Sequence, residues 1–143
     1  MRLKLGVAIA LAVVACSTAG RIDGPVLTAP FASGGMDALI MGTLAFDAGS
    51  GCLFLERDGG RVPVVWPSGA SWQASPPGVV LDDGRLIEVG MSVTGGGGYL
   101  PTNLIQQRAG SKVADAAAAC AGSSGEIALF NSEGDITITA DRE

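Results

Sequence analysis

Three thiols, three carboxylates and three aromatic rings are the side chains through which this sequence could act: Cys16, Cys52 and Cys120; Asp82, Asp83 and Glu88; Trp66, Trp72 and Tyr99. The chain has no histidine. That removes Ser-His-Asp and Cys-His catalysis, imidazole zinc ligation and imidazole acid–base work together. Neither G-x-S-x-G nor S-x-x-K occurs, so the other common serine arrangements are missing too. Asp82 and Asp83 with Glu88 suggest a glycosidase-like carboxylate set. Yet "DDGR" (82–85) is first a tight turn, in which adjacent carboxylates diverge, and its ligand count falls short of the six or more oxygens calcium prefers. "GGGG" (95–98) lacks the Lys-Ser/Thr and the helix start of a phosphate cradle and reads as a flexible loop. "VVWPSGASW" (64–72) sets Trp66 and Trp72 around a turn, where with Tyr99 they offer ring faces for a sugar or a peptide. With only 5% aromatic residues, the same rings are needed for the core: Trp66 inside, Trp72 over one end.

Cys16 ends an uncharged stretch, Leu5 to Ala15, that follows Arg2 and Lys4. This order of charge, apolar run and small residues is that of an export signal over residues 1–15. As a helix the run spans about 16 Å, roughly half a hydrocarbon core. Val13-Val14-Ala15-Cys16 resembles the lipobox of bacterial lipoproteins. The resemblance implies cleavage before Cys16, a thioether-linked diacylglycerol on its thiol, and often a further acyl chain on the new amino terminus. Two or three chains hold durably where one holds marginally. The alternative is an ordinary signal peptide cut after Ala19. The resemblance implies an exported, lipid-anchored protein, at the outer membrane if the organism has one, since Ser17 rather than Asp follows the cysteine.

Loss of residues 1–15 removes Arg2 and Lys4, leaving seven basic against fourteen acidic residues and a formal charge of −7. A surface of that sign argues against nucleic acid as a partner. In an oxidising compartment Cys52 and Cys120 are expected to pair, with two separate buried thiols as the alternative. Two cysteines without histidine make a poor metal site, and no cofactor motif is present.

The elements that must position these residues are mostly strands. Residues 16–36, rich in Gly, Pro, Ser, Thr and Ala, read as a lipidated flexible tether, and residues 37–143 as a single β-rich domain. There, short apolar runs are separated by "DAGSG" (47–51), "RDGG" (57–60), "DDGR" (82–85) and "SEGD" (132–135), the signature of antiparallel hairpins. Strands are expected over 39–46, 52–56, 61–66, 79–81, 86–89, 126–130 and 135–140, with Pro63 demoting its strand to an edge or a bulge. Ser111 can cap one short helix over 112–121, stopped at Gly122. The pattern predicts a small antiparallel β-barrel of the OB type, with a β-sandwich as the alternative. The cysteine strand, the "VVWP" turn and the "DDGRLIEVG" hairpin, over residues 37–100, also resemble small bacterial envelope lipoproteins of no assigned activity. The expected function is a lipid-anchored envelope protein whose barrel is a binding or structural module for an envelope partner. The rival is a carboxylate-dependent hydrolase or a small-ligand or carbohydrate carrier using Trp66, Trp72 and Tyr99.

Overall fold

The acidic-glycine turns reverse the chain where their side chains replace missing backbone partners. In this computed structural model, which describes residues 19–30 and 35–140, Asp47 Oδ1 accepts the Gly49 N–H at 2.9 Å and the Ser50 N–H at 3.4 Å. Asp58 and Gly59 take positive φ values of 47° and 75°, as a two-residue hairpin turn requires. These turns connect strands β3 (Ala38–Asp47), β4 (Cys52–Arg57) and β5 (Gly60–Pro67), an antiparallel meander. Further along lie β6 (Ser71–Ala74), β7 (Pro77–Val80), β8 (Leu86–Glu88) and β9 (Ser92–Pro101). After β9 come helices α1 (Thr102–Ala109) and α2 (Ser111–Ala121), then β10 (Glu126–Phe130) and β11 (Thr137–Thr139). Two strands precede the meander, β1 (Arg21–Asp23) and β2 (Val26–Ala29).

Strand β5 pairs in parallel with β10, β10 antiparallel with β9, and β9 antiparallel with β3, which closes a five-stranded barrel. The fold is the expected small, mainly β barrel. Its one parallel step, Val64 against Ala128, departs from a pure meander and makes the closure Greek-key. Pro63 lies inside a barrel strand rather than at an edge: it faces Phe54 of β4, and the pairing with β10 begins one residue later, at Val64. Where β4 leaves β5, β2 takes its place in parallel, Leu27 against Val65 through Ala29 against Pro67. Part of the expected tether therefore belongs to the sheet. Its four residues Val26 to Ala29 are buried, because the β5 edge beyond Val65 would otherwise leave main-chain groups unpaired.

Alternation along β5 and β10 divides the core in two. Val62, Val64 and Trp66 of β5 and Ala128 and Phe130 of β10 point into the barrel with Ile40, Leu44, Leu53 and Leu55. Val65, Ile127 and Leu129 point outward, under Ile105, Ala109, Val113, Ala114 and Ala117 of the helices. Buried on both faces, Ile127–Phe130 is a continuous apolar run rather than an alternating one. A separate sheet, β6–β7–β8, contributes Val79, Leu81 and Ile87 to the inner cluster.

Two expectations change here. The helix over 112–121 is present, but Gly110, at φ 88°, occupies its N-cap position and no side chain caps it. Ser111 lies inside the first turn and accepts a hydrogen bond from Gln106 Nε2 at 3.4 Å. It is preceded by α1, whose polar sequence buries only Ile105 and Ala109. The four glycines 95–98 are not a loop: they run through the middle of β9, paired with both β3 and β10. A Cβ on Gly95 would stand 2.9 Å from the Phe130 ring, and one on Gly97 would collide with Ile40 and the Leu129 carbonyl. Glycine is needed there for space, since the inward face of β9 must admit side chains from two other strands.

Candidate functional site

Strands β2, β5 and β10 run in the same direction, and beyond their last residues, Ala29, Pro67 and Phe130, a cavity of about 440 Å³ opens. Its floor is Leu129 and Phe130, and Pro30, Met36 and Pro67 add apolar wall. Asp82 and Asp83 enter from the β7–β8 turn, Glu133 from the turn after β10, and Arg108 from the last turn of α1.

Main-chain bonds hold these segments in register. Asn131 acts as a strand in miniature: Met36 N–H donates to its Oδ1 at 2.9 Å and its Nδ2 donates to the Met36 carbonyl at 2.7 Å. The Asn131 N–H itself donates to the Gly96 carbonyl at 2.9 Å. Arg85 ties the facing turns together, donating to the Ile136 carbonyl at 2.6 Å, the Glu133 carbonyl at 2.7 Å and Asp83 Oδ2 at 2.9 Å. The Arg85 N–H and guanidinium hold the Asp83 carboxyl below the usual carboxylate range. Asp83 therefore stays ionised and serves the turn; a general acid would need the opposite shift. Among the described residues no three His, Cys, Asp or Glu side chains converge as a metal-binding group.

The sequence-derived candidates are distributed as follows. Cys16 and residues 1–15 lie outside the described residues. Cys52 and Cys120 are bonded, with Cα atoms 5.8 Å apart and a sequence separation of 68, joining the start of β4 to the last turn of α2. Trp66 is fully buried in the barrel and stacks on Phe130 at 5.3 Å; its Nε1–H has no acceptor among the described residues. Trp72 lies half-buried on β6 against Phe46, ring centroids 4.9 Å apart, and its backbone N–H donates to Asp23 at 2.9 Å. Tyr99 lies toward the opposite end of the barrel, where the Arg57 guanidinium stands 4.9 Å over its ring beside a small pocket of about 150 Å³. None of the three rings lines the larger cavity, and Glu88 does not either. Asp82 and Asp83 line it together with Glu133 instead. Met36 and Asn131 carried no local signal, because they meet across segments 95 positions apart in sequence, and nothing in the sequence set Arg108 or Glu133 apart from other surface charges.

No family model, no curated protein and no solved structure matches this chain. No helix among the described residues is long and apolar enough to cross a membrane.

Proposed function

We propose that this chain is an exported protein, anchored by lipid on Cys16, whose barrel is a binding module with its ligand site in the cavity beyond β2, β5 and β10. The cavity carries the reading. It has the volume of a small-molecule site, about 300–1,000 Å³, and the common composition of apolar walls with a few polar groups. The Cys52–Cys120 bond supports residence in an oxidising compartment. A carboxylate-dependent hydrolase is less well supported, because Asp83, the carboxylate held most firmly at the cavity, is already neutralised by Arg85.

Two measurements test the proposal. Cys16→Ala should move the protein from the membrane fraction to the soluble one and abolish labelling by a fatty-acid analogue; retained label refutes the anchor. Titration of the isotope-labelled, disulfide-intact chain with a mixed set of small organic fragments should shift the amide signals of Phe130 to Gly134 first. Shifts centred on Trp72 or Tyr99 would place the site elsewhere.

A further inference from the structure

The cavity rim carries charges of both signs that the fold leaves uncommitted. Asp83 and Arg85 neutralise each other, and the remaining Arg85 donors are taken by the Glu133 and Ile136 carbonyls. The side chains of Asp82, Glu133 and Arg108 have no ion-pair partner among the described residues. They also belong to different layers. Arg108 comes from the helix layer, whose Ile105 and Ala109 pack on the outer face of β5 and β10. Asp82 comes from the β7–β8 hairpin, whose Val79, Leu81 and Ile87 pack on the inner face. The cavity thus passes the ends of the strands from a cationic side to an anionic one, over the apolar floor of Leu129 and Phe130.

Resting on the reading of this cavity as a ligand site, we infer that its ligand is an apolar zwitterion, a short peptide with free termini. Its ammonium group faces Asp82 and Glu133, its carboxylate faces Arg108, and its side chains cover Leu129 and Phe130. A neutral ligand would desolvate three charges without replacing their water. A simple cation would meet Arg108 and a simple anion would meet two carboxylates, each a like-charge contact. Only a molecule with both charges, separated by an apolar body, satisfies both ends. Arg108 presents a planar fork of donors suited to a carboxylate.

The test uses leucyl-leucine, its N-acetyl form, its C-terminal amide and the doubly blocked peptide, titrated calorimetrically into the full-length chain in mild detergent with the disulfide intact. Leucyl-leucine is expected to bind, and blocking either terminus to weaken binding about fivefold, the upper range for partly exposed ion pairs. In Arg108→Gln the penalty for amidation should vanish while that for acetylation persists, and Asp82→Asn with Glu133→Gln should do the reverse. Equal affinity of the doubly blocked peptide overturns the zwitterion and leaves the ligand site standing. A penalty that disappears in the wrong variant overturns the assigned direction. If none of the four peptides binds, the inference falls; if the fragment set also leaves the cavity amides unmoved, the reading of the cavity falls with it.

Discussion

The interior of the barrel and its end beyond β10 are built from the same strands, yet one is filled and the other hollow. Inside, Trp66 and Phe130 stack at 5.3 Å, and Gly95 and Gly97 clear the space their neighbours occupy. At the end, β2, β5 and β10 stop together, and Asn131 and Arg85 pin the segments around a gap that no described side chain fills. Trp66, the most buried of the rings, is scaffold, and charged turn residues border the cavity. Exposed turns can carry function at little cost to stability because the barrel beneath them is over-determined.

The contrast can be broken most forcefully at Trp66. Trp66→Ala should lower unfolding free energy by roughly 3–5 kcal/mol, the usual loss for a buried aromatic, whereas half-buried Trp72→Ala should cost about 1 kcal/mol. Denaturant melts of both variants measure this; equal losses would mean that the interior is not the dominant core. Next in size is the Cys52–Cys120 bond. Replacing both cysteines by serine should cost about 2–4 kcal/mol, since a closed loop of this length restricts the unfolded chain strongly, and the thermal midpoint should fall accordingly. Gly97→Ala should cost about 1–3 kcal/mol by overpacking against Ile40 and the Leu129 carbonyl; a neutral result would show that β9 can move outward.

The smallest effect sharpens the other side of the comparison. The folded-state pKa of Asp83 is lowered below 3.8, first by the Arg85 N–H. Its contribution is therefore complete above that value and is lost as the pH falls through the lower folded value. Wild type and Asp83→Asn should accordingly converge in stability in acid and differ only slightly at neutral pH. Divergence that grows toward low pH would contradict the assignment.

How much of this was legible in the sequence depended on range. The β3–β5 meander and the β7–β8 hairpin were readable from alternation and turn chemistry, and Cys52 and Cys120 from compartment logic, because these signals are local or exhaust their possibilities. "SEGD" is not a hairpin turn, since β10 and β11 both pair with β9 and not with each other. Strand β2 was not: Val26–Ala29 has only the three-residue β1 as a hairpin partner, across a Gly-Pro turn, and its parallel place beside β5 depends on where β4 leaves off. The glycines of β9 misled for the opposite reason. A run that signals flexibility by itself becomes a rigid strand when Phe130 and Ile40 need the volume. The cavity was the least legible, since it exists only where the ends of three strands, two turns and a helix meet.

The central claim, that ligands enter the hollow end and not the barrel, is tested most directly by blocking that end without touching the core. Ser68 is exposed and lines the cavity just after β5, so Ser68→Trp should leave the thermal midpoint near that of wild type while filling the entrance. The dissociation constant of this variant for leucyl-leucine decides the matter. The account predicts a loss of binding of tenfold or more, on the order of 1.4 kcal/mol; unchanged affinity in a folded Ser68→Trp protein would contradict it.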